Sequence, residues 1–305
     1  MKSVTVRAPA KINLSLGVGP ARSDGYHPLA TVYMAVDLYD EVRAQAVDGD
    51  EISVTVHVDA DARVEIADVP QDESNLAVRA ALLLREATGI DDGVALAIRK
   101  VIPVAGGMAG GSADAAAALV ACNELWGTAL SKAELEALAT RLGSDVPFSL
   151  HGGLALGSGR GELVSPVLAR GSYHWVFAIA DYGLSTADVY AEFDRLNEGT
   201  DVLPPEVDDD LMTALRASDP DALGRALSND LSEAALNLRP ELGEALAIGR
   251  ECGALGAQIS GSGPTTMFLA RDEEHAMDIA VALASSRVCA DVAKAFGPVP
   301  GARIV

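Results

Sequence analysis

Val4, Val6 and Ala8 alternate with Thr5 and Arg7, and after Pro9 a second run sets Lys11, Asn13 and Ser15 against Ile12, Leu14 and Leu16. Period two is the mark of half-buried strands, and it places Lys11 and Asn13 side by side on one face. A solvated polar face accounts for such a pair as well as a binding site does. Residues 52–58 alternate in the same way, with His57 between valines as a strand residue without chemistry. Residues 76–88, led by Asp72-Glu73-Ser74-Asn75, fit a capped helix, and Asn75 serves either as its cap or near a ligand. Residues 94–102 are apolar and β-branched, predicting a strand that Pro103 ends, and residues 113–126 are strong helix formers. A second amphipathic helix is predicted over 131–141. Further on, strands at 173–181, 265–270 and 288–294 and helices at 185–197, 220–236 and 272–285 make an alternating α/β half. The acidic run 206–210 reads as a solvated linker. Gly152, Gly153, Gly157, Gly159 and Gly161 form a loose, turn-rich stretch, which predicts the junction between a domain at 1–155 and one at 156–305.

Between the predicted strand and helix at 94–126 runs Pro103-Val104-Ala105-Gly106-Gly107-Met108-Ala109-Gly110-Gly111-Ser112. Its four glycines in six positions let backbone N–H groups converge without a Cβ in the way. Ser112 is placed to cap the helix, whose positive end then faces the loop's occupant, and phosphate is the natural one. A tight turn with glycines chosen for packing is the plainer alternative. The loop has no Gly-Lys-Ser/Thr and no G-x-G-x-x-G spacing, and the chain lacks the His-Arg-Asp and Asp-Phe-Gly triplets of protein kinases.

Charge sharpens the picture. Lys+Arg 23 against Asp+Glu 44 leaves −21, which argues against nucleic acid or an anionic membrane as partner. A polyanionic ligand then needs local cations, backbone amides or a divalent metal, and Lys11, Arg22 and Lys100 are the candidate cations. The 305 residues suit one large or two ordinary domains. Hydrophobic residues make up 49% and aromatics only 4%, so alanine and valine must fill much of the core. Cys122, Cys252 and Cys289 show no paired spacing, which predicts reduced thiols and small buried hydrophobes. The amino terminus alternates instead of forming an apolar run, and no stretch approaches membrane-spanning length. A cytoplasmic protein is expected.

Three stretches, in order, resemble a known family. Pro9-Ala10-Lys11-Ile12-Asn13-Leu14-Ser15-Leu16, the loop from Pro103 through Ala115, and Ile259-Ser260-Gly261-Ser262-Gly263-Pro264 resemble the three motifs of the GHMP kinases, which phosphorylate small molecules. Arg22-Ser23-Asp24-Gly25-Tyr26-His27, Leu142-Gly143-Ser144-Asp145-Val146-Pro147-Phe148 and a lysine three residues before Pro103 are similar to the branch acting on a cytidyl-diphosphate-linked sugar alcohol of isoprenoid precursor synthesis.

The resemblance implies an α+β, two-domain GHMP kinase fold, its amino-terminal domain of a ribosomal-protein type and its carboxy-terminal domain ferredoxin-like. It implies ATP with Mg²⁺, the nucleotide lying near Asn75, Lys100, Pro103, Gly106, Gly107, Gly110, Gly111 and Ser112. Asn13, Tyr26, His27 and Tyr190 are implied at the substrate, with aromatic rings clamping the cytosine. Asp145 is implied to take the 2-hydroxyl proton while Lys11 orients it; from its neighbours alone, Asp145 before Val-Pro serves equally as a helix cap. No acidic metal ligand stands out. Ala105, Ala109 and Ala113 depart from the family's Gly, Gly and Ser, and alanine at a positive φ strains a loop. The expected partner is a small-molecule substrate, and the expected state a monomer or weak homodimer. Homoserine or mevalonate as acceptor, or a non-catalytic nucleotide-binding regulator, are the alternatives. Asp24-Gly25-Tyr26-His27 argues against the first two, and retention of Lys11 with Asp145 against the third.

Overall fold

The two amino-terminal runs join into one strand. In a computed structural model, which describes residues 2–58, 69–104 and 106–305, β1 (Ser3–Val18) continues through Pro9 because the register with β2 (Leu29–Val47) slips between Pro9 and Ala10. A residue without an N–H is tolerated at such an irregularity. A second slip lies between Asn13 and Ser15, beside the polar pair singled out above.

β3 (Ile52–Val58) lies parallel to β4 (Gly93–Lys100), and β4 pairs antiparallel with the far end of β2. Over this sheet lie α1 (Leu76–Thr88), α2 (Gly110–Trp126), α3 (Lys132–Leu142) and α4 (Val146–His151). In α2, Ala113 and Ala115 to Ala118 are fully buried. Small side chains let this helix sit deep against β1 and β2, which is how a chain poor in aromatics closes its core. Ser131 and Glu134 form a capping box at the start of α3.

The glycine-rich stretch holds a hairpin, β5 (Leu154–Ser158) and β6 (Leu163–Pro166), with β5 added to the near end of β2. Small residues are required here by contact. A Cβ on Gly157 would stand 2.4 Å from the Tyr33 ring.

The second sheet is antiparallel, in the order β11 (Asp291–Gly297), β7 (Tyr173–Ile179), β10 (Thr266–Ala270), β9 (Gly256–Ile259). Along β7 alternate residues serve different cores. Val176 and Ala178 pack with Phe193, Ile279 and Leu283, whereas Trp175 and Phe177 join the core of the first sheet. The helices of this half are α5 (Thr186–Leu196), α6 (Asp209–Ala217), α7 (Pro220–Ala226), α8 (Ser232–Leu238), α9 (Leu242–Glu251) and α10 (Glu273–Ser286). The predicted linker at 206–210 contains the start of α6, which Asp208 caps. The helix predicted over 220–236 is broken by a two-residue strand, β8 (Ser228–Asn229), that runs parallel to β1 beside Ser15 and Leu16. β12 (Arg303–Ile304) pairs with the same edge of β1 as β8, the edge away from β2. Among the described residues no helix is long and apolar enough to cross a membrane.

Candidate active site

The loop between β4 and α2 supplies the first half of the site. The helix begins at Gly110, earlier than predicted, behind Ala109 in the left-handed region (φ 59°), and no side chain caps it. Ser112 therefore sits inside the first turn and does not serve as the cap. A 17-residue helix whose first N–H groups lack a side-chain cap offers its positive end to an anion.

The glycines divide the work. A Cβ on Gly107 (φ 72°) would fall 2.1 Å from the Ser260 carbonyl oxygen, and one on Gly106 would meet Thr265 Oγ1 at 2.9 Å. These two allow the loop to press against the 260–265 turn, where Ser260 Oγ donates to the Gly107 carbonyl (3.2 Å). Gly111 faces open space, with Leu76 Cδ1 the closest atom at 3.4 Å. Pro103, Gly106, Gly110, Gly111, Ser112 and Asn75 border a cleft of about 400 Å³. Asn75 caps α1, accepting from the Ala77 N–H (2.9 Å), and borders this cleft as well. Ala105 lies outside the described residues, and Ala113 is a buried core residue of α2.

Lys100 borders the same cleft, but its ammonium turns into the protein. It donates to Asp40 and, at 2.8 Å, to Asp114 Oδ2. Asp40 Oδ1 accepts the N–H groups of Val101 (2.6 Å) and Ile102 (2.9 Å). The triad thus fastens the exit of β4 to the first turns of α2. Two carboxylates against one ammonium are not all charged: burial first, and then Asp40, push Asp114 up to about 8 in spite of Lys100. For Lys100 burial acts downward, and the two carboxylates outweigh it.

A second cleft, about 700 Å³, meets the first at Ala109. Lys11 is nearly buried on β1, where its N–H donates to Met108 of the loop (3.2 Å). Its ammonium donates to Asn13 Oδ1 (2.8 Å) and lies 3.6 Å from Asp145 Oδ2. Asn13 in turn donates to Thr31 Oγ1 (2.8 Å), whose hydroxyl donates to the Ser15 carbonyl (2.6 Å). The polar pair is therefore an anchored chain of hydrogen bonds, not a solvated face. Asp145 stands at the start of α4 in helical geometry (φ −88°, ψ −12°), and its side chain makes no capping bond. The carboxylate is left for the cleft. Gly261 (φ 58°) belongs to the same neighbourhood, since a Cβ there would approach Asn13 Oδ1 at 3.4 Å and Lys11 Nζ at 3.6 Å.

The aromatic residues stand at the other end. His27 is buried, its Nδ1–H donating to the Gly19 carbonyl (2.8 Å), and its ring meets that of Tyr190 at 5.1 Å. Burial, then the charge of Asp145, lift the Tyr190 phenol to about 12. Tyr26 is half exposed, with the Arg160 guanidinium 4.6 Å above its ring. Arg22, a candidate cation, pairs with its neighbour Asp24 at 2.8 Å.

Several residues of the site carried no mark in the sequence. Tyr33 is an ordinary member of an apolar strand, yet burial and then Asp145 raise its phenol well above the usual range, leaving a protonated donor facing that carboxylate. Asn229 donates to the carbonyls of Ile259 (2.9 Å) and Gly261 (2.8 Å) and so holds the third glycine loop. Arg160, Asp40 and Thr31 likewise emerge only from the fold. A solitary polar residue on a strand or turn has no periodicity to betray it.

A nucleotide-sized cleft at a helix start, sharing Ala109 with a cleft that holds a lysine–aspartate pair, is the layout of a small-molecule phosphotransferase. Family models for the GHMP kinases N terminal domain and for GHMP kinases C terminal match residues 75–153 and 211–288. The 4-diphosphocytidyl-2-C-methyl-D-erythritol kinase of Thermobifida fusca is 54% identical over 307 residues, covering 99% of this chain and 98% of that one. The protein of that name from Leifsonia xyli is 51% identical, covering 100% and 99%. A crystal structure of 4-(cytidine 5'-diphospho)-2C-methyl-D-erythritol kinase superposes with a TM-score of 0.76 at 32% identity, over 96% of this chain and 98% of the other. A crystal structure of L. major mevalonate kinase superposes with a TM-score of 0.77 at 18% identity, over 98% and 96% of the two chains, and shares the fold alone. The chain belongs to the GHMP kinases and, among them, to the family of the 4-diphosphocytidyl-2-C-methyl-D-erythritol kinases.

Proposed function

We propose that the chain transfers the γ-phosphoryl group of ATP to the 2-hydroxyl of 4-diphosphocytidyl-2-C-methyl-D-erythritol, a step of the methylerythritol phosphate route to isoprenoid precursors. The observation that carries this is the placement of Lys11 and Asp145, 3.6 Å apart, in the cleft that joins the loop at one side and the Tyr26, His27 and Tyr190 group at the other. The cytidyl end lies among the aromatic side chains, so the alcohol reaches the aspartate.

In the step itself the 2-hydroxyl oxygen bonds to the γ-phosphorus, the bond to the β–γ bridging oxygen breaks, ADP leaves, and Asp145 takes the hydroxyl proton. Lys11, held in place through Asn13, keeps that carboxylate oriented and faces the charge developing on the transferred group. The uncapped N–H groups of α2 hold phosphate oxygens. Mg²⁺ would enter with ATP, held chiefly by the substrate phosphates. Among the described residues no cluster of three His, Cys, Asp or Glu gathers. The Ser112 hydroxyl, which borders the nucleotide cleft, would be the protein's contact to a metal that arrives with ATP. When bound it neutralises phosphate charge in the transition state.

A coupled assay of ADP release tests the reading. With saturating ATP we expect turnover of the cytidyl alcohol and none above background with homoserine or mevalonate. Turnover of either of those, with the cytidyl alcohol inert, overturns it.

A further inference from the structure

One face of α5 forms a wall of the substrate cleft. Thr186, Tyr190 and Asp194 recur at every fourth residue, so they stack along one side of the helix, and all three line the cleft. At the start of the wall the Thr186 hydroxyl shares a hydrogen bond with the Ser262 hydroxyl of the third glycine loop (2.9 Å). Tyr190, in the middle, meets the His27 ring. Asp194 closes the far end, its Oδ2 3.5 Å from His27 Nε2.

His27 belongs to the opposite wall, the loop of residues 19–28 between β1 and β2. The neck of that loop is held twice. The Gly19 N–H donates to the Pro28 carbonyl (2.9 Å), and the Gly19 carbonyl accepts from His27 Nδ1–H (2.8 Å). A carbonyl only accepts, so Nδ1 carries a proton whether the ring is neutral or charged. The second nitrogen, which faces Asp194, differs between the two forms. In the neutral ring it turns a lone pair toward a carboxylate, which repels it; in the charged ring it offers an N–H, which the carboxylate accepts. The His27 side chain is 5% exposed and that of Asp194 50%, so water reaches the pair from one side only. Among the described residues it is the one ion pair that joins this loop to α5.

The other charges near the ring have partners of their own. On the loop Arg22 pairs with Asp24, and deeper in the cleft Lys11 pairs with Asp145. Arg160 lies over Tyr26. Asp230, just before α8, accepts the Val18 N–H (2.8 Å). Glu206 is exposed beyond Pro205, which packs against Gly17 and Gly19.

We propose that Asp194 is a positioning residue which, by pairing with the protonated His27 ring, clasps the α5 wall to the 19–28 loop and so holds the cleft at the width that receives the cytidyl end of the substrate. The proposal rests on the cytidyl reading given above. Its consequence is a substrate affinity that depends on pH. The clasped form is the one that receives the substrate, and the apparent affinity falls with its fraction. That fraction falls as pH rises through the range in which histidine loses its proton. The competing role is packing alone, with the Asp194 charge a spectator.

KM for the cytidyl alcohol, measured between about pH 6 and about pH 8 at saturating ATP, separates the two roles. The alcohol carries a diphosphate diester whose charge is constant over this range, so the profile reports the protein. Wild-type KM is expected to rise about two- to fivefold toward the upper end. Asp194→Ala should be flat, at or above the upper wild-type value. Asp194→Asn should be flat as well but lower at about pH 8, because its amide N–H donates to the lone pair of the neutral ring. In both variants kcat and KM for ATP should stay within about twofold of wild type. A wild-type KM that is flat with pH, a rise that survives in both variants, or equal losses in kcat and in KM overturns the clasp. Absence of turnover of the cytidyl alcohol by wild type at every pH defeats the cytidyl reading, and the clasp with it.

Discussion

A methyl group added at Gly111 meets nothing nearer than Leu76 Cδ1 at 3.4 Å, whereas one added at Gly107 lands on the Ser260 carbonyl. The two glycines look alike in the sequence and have opposite reasons to be there. Gly111→Ala places a good helix former in the first turn of α2, worth up to about 1 kcal/mol, so the melting temperature should hold or rise. If the Gly111 amide approaches phosphate, ATP affinity should fall at least about tenfold, read by calorimetry. Gly107→Ala should behave in reverse, unfolding at a lower temperature because its φ of 72° and the 2.1 Å contact both oppose a side chain. ATP affinity undiminished in Gly111→Ala would remove that amide from the phosphate site. Ala109 is one of the positions where the sequence warned of strain, and its φ of 59° bears this out.

Element by element, the chain was most legible where local chemistry decides. The residues of α1 were readable from Asn75 onward, and α3 from its amphipathic period, because cap and periodicity lie within a few neighbours. The break between α7 and α8 was not, since Ser228 and Asn229 leave the helical path to lie beside β1, more than 200 residues earlier. The β5–β6 hairpin was hidden for a related reason: its glycines signal turns, but only contact with Tyr33 explains their smallness. The resemblance implied that Lys100 meets the nucleotide, while the fold gives its ammonium to the join between β4 and α2. That join has a pH signature. Asp114 is raised from 3.8 to about 8, so across this window the folded chain keeps a proton that the unfolded chain has lost. Stability from this group therefore falls as pH rises, and levels off above about 8. Asp114→Asn removes the titration, and its melting temperature should gain on wild type steadily between about pH 5 and pH 8.5. Parallel curves for the two proteins would contradict the assignment.

At the scale of the molecule, the active centre is assembled from distant parts. Lys11 comes from β1, Asp145 from the start of α4, and Gly261 from a loop of the second half that Asn229 ties down. Three motifs were recognisable in the sequence, and the fold brings all three to one place. What the sequence could not supply was the lining contributed by single residues such as Tyr33 and Arg160, whose roles depend on which strands and turns become neighbours. Nor could it separate the two roles of Asp145, because a capping and a catalytic aspartate occupy the same kind of position. In the structure the side chain caps nothing, so its substitution should cost no helix cap. The measurement that bears most directly on the account is kcat of Asp145→Asn with ATP and the cytidyl alcohol, taken beside its melting temperature. The substitution keeps the volume and removes the proton acceptor, and a drop of about 10²–10⁴ in kcat is expected with unfolding close to wild type. A stable Asp145→Asn protein with kcat within about threefold of wild type, a change under about 1 kcal/mol in the barrier, would contradict it.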